Sequence, residues 1–150
     1  MQKKDCIFCK IIKGDIPSVK IWEDKRHLAI LDIFPNTPGM TLIIPKDHHD
    51  AYVFDMPEKS YQELLSAARK VSKILDAKLK CPRTAMVMEG MGVNHAHIKL
   101  YPMHGVDVKT FVLHPEKAFF DKYPGYITTL IGPVADKEEL EKVAKQIRGK

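Results

Sequence analysis

The sequence predicts an α+β fold, and three stretches of it carry that prediction. From Val93 to Pro102, apolar residues alternate with His or Lys over six positions, the period of a half-buried strand. Tyr61, Leu64, Leu65, Ala68, Val71, Leu75 and Leu79 recur at helical spacing, which predicts a helix from about Pro57 to Lys80. Between Trp22 and Ile44, short apolar runs alternate with clusters of turn formers, the pattern of strands joined by tight connections.

A chain of 150 residues fits one domain, 1–150, long enough to bury a core. At 45% apolar and 29% charged residues it reads as soluble and globular. The N-terminus lacks the apolar run of a signal peptide, and no stretch approaches the ~20 apolar residues of a membrane span, so a cytoplasmic location and no membrane partner are expected. The formal net charge of +5 comes from Lys and Arg scattered from Lys3 to Lys150 among acids. That distribution argues for a solvated surface favouring anionic substrates, and against a nucleic-acid partner, which would concentrate the charge.

In chain order, Cys6-Ile7-Phe8-Cys9 comes first. Three cysteines do not make a disulfide framework, which leaves a redox pair, half of a tetrahedral zinc site, or two free thiols. A redox pair usually opens a helix after a strand, and no strand precedes this one, so the zinc reading is favoured. Trp22-Glu23-Asp24 and Leu28 to Ile33 read as strand, turn, strand; Pro35-Asn36-Thr37-Pro38-Gly39 is dense in turn formers; Met40 to Ile44 reads as a buried strand. Asp55-x-x-Glu58 has the form of a capping box at the start of the long helix, and Pro82 marks its end. Cys81 reads as a packed thiol. Thr84 to Met88 is the next strand, turned by Glu89-Gly90-Met91-Gly92 into the alternating stretch. Those glycines suit either a tight turn or a close backbone approach to a phosphate.

In the alternating stretch His95, His97 and Lys99 share one face, and Ala96, Ile98 and Leu100 the other. Two imidazoles and an ammonium side by side repel unless an anion or a metal sits among them or the imidazoles stay neutral. An exposed polar face is the plainer alternative, but such faces seldom carry His at i and i+2. Beyond Pro102, Phe111, Phe119, Phe120 and Tyr123 are available for a core or for covering a pocket, and Tyr126 to Ile131 alternates weakly as a strand. A second capping box, Asp136-x-x-Glu139, precedes an amphipathic helix through Leu140, Val143, Ala144 and Ile147, stopped by Gly149.

His-Ala-His-Ile-Lys-Leu-Tyr-Pro (95–102) resembles the signature of the histidine triad (HIT) hydrolases and transferases, in which three histidines alternate with apolar residues ahead of a proline. Lys99 stands in place of the third histidine, and Met91 in place of a glutamine common four residues before the first. The resemblance extends over about residues 5 to 104, since Cys6 to Pro17 is similar to the opening of bacterial members. It implies an antiparallel sheet of about five strands with one long helix and a C-terminal helix, usually paired into a homodimer. It also implies a structural zinc ion held by Cys6, Cys9, His48 and His95, with His49 a surface neighbour.

For function, the resemblance implies a nucleotide substrate attacked at its α-phosphate by His97, whose second ring nitrogen donates to the carbonyl of His95. Asp32 would bind the ribose hydroxyls, unless it only caps its turn, and Lys99, His48 and Asn94 would lie near the phosphates. Lys99 beside His97 is expected to lower the imidazole pKa and to relay protons poorly, which points to leaving groups that need little protonation, such as nucleotides. The competing expectations are a nucleotide-binding protein that keeps zinc but has lost turnover, and a basic nucleic-acid binder with salt-sensitive affinity.

Overall fold

The structure, a computed structural model, describes residues 3–110, 119, 121–122 and 131–149. Five strands, β1 (Lys20–Glu23), β2 (His27–Leu31), β3 (Thr41–Pro45), β4 (Thr84–Val87) and β5 (Ile98–Pro102), form one sheet in the order β1-β2-β3-β5-β4. Every neighbouring pair is antiparallel. Among the described residues the sheet carries three α-helices: α1 (Ile7–Lys13), α2 (Glu58–Leu79) and α3 (Lys137–Arg148).

Both faces of the two central strands are buried, and strand alternation sorts their residues between two clusters. Ala29, Leu31, Ile43, Ile98 and Leu100 face a core shared with Leu64, Ala68, Val71 and Leu75 of α2 and with Leu140, Ala144 and Ile147 of α3. Leu28, Ile30, Leu42 and Ile44 face the other way, against Phe8 and Ile11 of α1. On that second face the register aligns Ile30 with Leu42, Leu42 with Lys99, and Lys99 with Val87, so one row crosses four strands and brings Lys99 beside apolar neighbours.

Several expectations needed correction. Helix α1 was not expected: it is short, opens at Cys6 and closes on Gly14 at φ 91°. The alternating stretch becomes a paired strand only from Ile98, because residues 92–95 bend and the N–H of Ala96 donates to the carbonyl of His49 (2.8 Å) instead of joining the ladder. Its apolar face is nonetheless as expected, with Ala96, Ile98 and Leu100 all in the core. The first capping box does not form. Pro57 holds the N-cap position of α2 with no side-chain cap, and Asp55 ends a separate 3-10 turn, Val53–Asp55. The second forms: Asp136 accepts from the N–H groups of Glu138 (2.9 Å) and Glu139 (3.1 Å). Helix α2 ends at Leu79, where Lys80 turns left-handed (φ 53°) ahead of Pro82. Of the expected strand from Tyr126 to Ile131 only Ile131 is among the described residues, and it is not in a strand; the roles offered to Phe111, Phe120 and Tyr123 lie outside the described residues, and Phe119 is exposed.

Candidate active site and metal cluster

Helix α1 lies where the Cys-x-x-Cys sequence can meet the stretch before β5. Cys6 Sγ lies 3.3 Å from His95 Nδ1, and Cys9 Sγ lies 3.4 Å from His48 Nδ1 and 3.6 Å from His95 Nδ1. In a tetrahedron with Zn–S near 2.3 Å and Zn–N near 2.0 Å, sulfur and nitrogen ligands stand about 3.5 Å apart. The four donors, all within 4.8 Å of one another, therefore fit a metal ion. Burial pushes the His95 pKa down to about 4, so His95 offers a neutral lone pair; it also raises the Cys9 thiol pKa, so a metal binding there would have to displace the thiol proton. The other ring nitrogen of His95 is committed, with Nε2–H donating to the Pro45 carbonyl at 2.8 Å. Three cysteines are free, and Cys81 is packed by the end of α2, its thiol pKa raised by burial.

His97, two residues on, is buried and does not enter the cluster. Its Nδ1 lies 2.8 Å from the His95 carbonyl, and a carbonyl can only accept, so Nδ1 carries the proton and Nε2 the lone pair. The His97 pKa is lowered. Burial is the largest cause and Lys99 contributes, while the His95 carbonyl, Glu89 and Asp32 oppose it. The expected influence of Lys99 is present but secondary.

A cavity of about 350 Å³ opens over His97. Ile30, Leu42 and Lys99 of the sheet row line it, with Phe8 and Ile11 of α1, Asp32 and Phe34 of the β2–β3 loop, Met91 to Val93, and Ile131. Asp32 Oδ1 accepts from the N–H of Phe34 (2.8 Å), so the carboxylate does cap its turn, at the cavity wall. His48 and Asn94 line an adjoining cavity with Cys6 and Lys3, away from Lys99. Asn94 ties the His48 loop in place, accepting from Ala51 N–H (2.9 Å) and donating to Asp50 (3.1 Å). Gly90 turns at φ 71°, and a Cβ there would meet the Ala51 carbonyl at 2.9 Å, so a turn and a close backbone approach coincide.

Three residues of the site escaped the sequence reading. Phe8, inside the Cys-x-x-Cys, packs edge-on against both His95 (5.9 Å) and His97 (5.3 Å). Glu89 Oε1 accepts from Lys99 Nζ at 2.5 Å in a pair whose side chains are only 10% and 14% exposed. Ile131 reaches the cavity because the backbone after it bonds to the β2–β3 loop, Gly132 N–H to Phe34 O (3.2 Å) and Ala135 N–H to Ile33 O (2.8 Å). The register could have found Glu89. It lies two residues beyond Val87, on the same face, and Val87 pairs with Lys99.

Comparison with known proteins agrees with this geometry. The chain is 35% identical over 124 residues to adenosine 5'-monophosphoramidase hnt1 of Schizosaccharomyces pombe, covering 75% of this chain and 89% of that protein. A hypothetical histidine triad nucleotide-binding protein from Sulfolobus tokodaii superposes with a TM-score of 0.75 at 26% identity, covering 96% of this chain and 90% of that one. A HIT family hydrolase from Clostridium thermocellum gives 0.60 at 34% identity, over 74% and 99% of the two chains. Residues 13–105 match the HIT domain, from the end of α1 through the whole of β5, and the chain belongs to that family.

Proposed function

We propose that this chain hydrolyses or transfers the nucleotidyl group of nucleoside 5′-phosphoramidates or dinucleoside polyphosphates, through a nucleotidyl intermediate on His97. One observation carries the reading. The His95 carbonyl fixes the proton of His97 on Nδ1, so a neutral imidazole presents the Nε2 lone pair at an apolar, nucleoside-sized cavity. Nε2 attacks the α-phosphorus; the phosphorus–nitrogen bond forms as the bond to the leaving group breaks, and the leaving atom keeps the electron pair and takes up a proton from water. A second water then attacks the same phosphorus, releasing nucleoside monophosphate and neutral His97. Lys99 stabilises charge on the phosphate oxygens and Asp32 receives the ribose hydroxyls. The name of the S. pombe relative, a phosphoramidase acting on adenosine 5′-phosphoryl groups, supports the substrate class.

Within this reading Cys6, Cys9, His48 and His95 hold zinc. Four protein donors leave no open position for water, so the ion is structural and fastens α1 to the stretch before β5. We read residues 1–150 as one HIT-like domain working as a cytoplasmic homodimer. Free cysteines suit a reducing compartment, and among the described residues no helix is long and apolar enough to cross a membrane. The edge strand β4, with Met86 exposed, suits addition of a second copy.

The test is intact-protein mass after brief mixing with adenosine and guanosine phosphoramidates and dinucleoside polyphosphates, quenched in mild alkali. A nucleotidyl adduct on the wild type and none on His97→Ala is the expected result. Nucleotide binding with neither adduct nor turnover would overturn it in favour of a binding protein, the alternative that the Lys99–Glu89 pairing favours.

A further inference from the structure

Lys99 does not meet the cavity as a bare cation. Its ammonium is held by Glu89 Oε1, and Glu89 Oε2 is buried with no hydrogen-bond partner among the described residues. Burying a carboxylate oxygen unpaired is costly, so the fold retains here a negative charge it could have omitted. Among the described residues, Asp32 and Lys99 are the charged side chains lining the cavity, and Glu89 stands directly against Lys99. With His97 neutral as a nucleophile, two carboxylates oppose one ammonium among the described residues, which leaves the His97 end of the cavity with excess negative charge from them. A zinc ion held by two thiolates and two imidazoles adds no net charge to this count.

A polyphosphate leaving group needs the opposite arrangement, because it brings further negative charges to the far side of the α-phosphorus. We propose that Glu89 determines leaving-group specificity: by cancelling the charge of Lys99 it admits an α-phosphoryl group joined to a neutral or cationic amine and disfavours polyanionic leaving groups. This rests on the reading of His97 as nucleophile and narrows it to phosphoramidates. It reverses the expectation drawn from Lys99 alone, which left Glu89 out. Glu89 acts here through Lys99, as a positioning residue.

The test compares kcat and KM for adenosine 5′-tryptamine phosphoramidate and diadenosine tetraphosphate in the wild type, Glu89→Gln and Glu89→Asp. The wild type should favour the phosphoramidate. Glu89→Gln should shrink that preference by about tenfold, chiefly through a lower KM for the tetraphosphate, the size expected for one unit charge roughly 12 Å from the added phosphate charge at an effective dielectric of about 20. Glu89→Asp should restore it, which a purely structural role would not predict. Should Glu89→Gln fail to fold, the binding order of plain nucleotides to the wild type decides instead. Affinity falling from AMP to ADP to ATP supports the proposal, and the reverse order overturns it. An unchanged preference in a folded, active Glu89→Gln, or a wild type that favours the tetraphosphate, overturns the role of Glu89 and leaves His97 as nucleophile. Absence of any adduct or turnover on both probes overturns the reading beneath it.

Discussion

Replacing Phe8 by alanine separates two jobs that one ring performs. Its side chain is 7% exposed, packs on Leu28, Ile30, Leu42 and Ile44, and stands edge-on to His95 and His97. Truncating a buried Phe to Ala costs about 3–5 kcal/mol, and the low end applies because one side of the ring borders a cavity and not packed atoms. Of that, the two edge-to-face contacts account for about 1 kcal/mol. Phe8→Leu keeps most of the volume and should cost about 1–1.5 kcal/mol. If the ring also touches the bound nucleoside, Phe8→Ala should raise KM or the AMP dissociation constant about tenfold, since ~1.4 kcal/mol of contact is lost. The stabilisation conferred by a fixed, saturating AMP concentration should then shrink by the same ~1.4 kcal/mol, because ligand stabilises only the folded state. Denaturant titration with and without AMP, beside steady-state kinetics, reads both quantities. A Phe8→Ala protein that loses stability while AMP confers undiminished protection would refute the placement of the nucleoside against α1.

Gly132→Ala would place a Cβ 1.8 Å from the Pro35 carbonyl oxygen, so the segment after Ile131 must lift from the β2–β3 loop. Its two backbone bonds, about 1 kcal/mol each, should be lost. Hydrogen exchange at the Ala135 amide should speed markedly and KM should rise; unchanged exchange would contradict this attachment. Asp136→Ala should cost about 1 kcal/mol by uncapping α3, lowering Tm by about 2–4 °C with KM unaltered. Zinc analysis should find about one ion per chain. Chelation should expose Cys6 and Cys9 to thiol reagents while Cys81 stays slow, and should lower kcat about tenfold, the usual scale of losses around a metal ligand. His97→Ala should abolish turnover altogether.

How much was legible follows from the range over which each signal acts. Strand alternation is local, so the split between Ala96, Ile98, Leu100 and the polar face could be read directly, as could the core face of α2. Capping motifs are local too, yet Asp136 caps its helix and Asp55 does not: Pro57 takes the cap position of α2, leaving Asp55 in a turn of its own. Phe8 was illegible because between two cysteines it looks like a spacer; its role exists only once α1 lies across β2 and β3. Glu89 looked like part of a glycine turn because sequence spacing alone does not say that β4 and β5 pair with Val87 opposite Lys99. Ile131 depends on a backbone attachment that no residue type announces.

The candidate metal cluster and the proposed nucleophile meet at His95, so chelation is expected to weaken turnover without abolishing it. His95 has every bonding group committed: Nδ1 to the cluster, Nε2–H to Pro45, its backbone N–H to Val93 and its carbonyl to His97. Loss of a bound ion would free only the first of these. The next residue, Ala96, is buried in the core and bonded to His49, so the backbone that carries the His95 carbonyl is still held. The carbonyl can drift but not leave, and His97 keeps its tautomer most of the time while its ring samples a wider range of angles. A barrier that depends on the direction of one lone pair is sensitive to that widening, because attack on phosphorus requires near alignment. On the proposed function, zinc would contribute to rate through order, at the carbonyl that fixes the His97 proton on Nδ1.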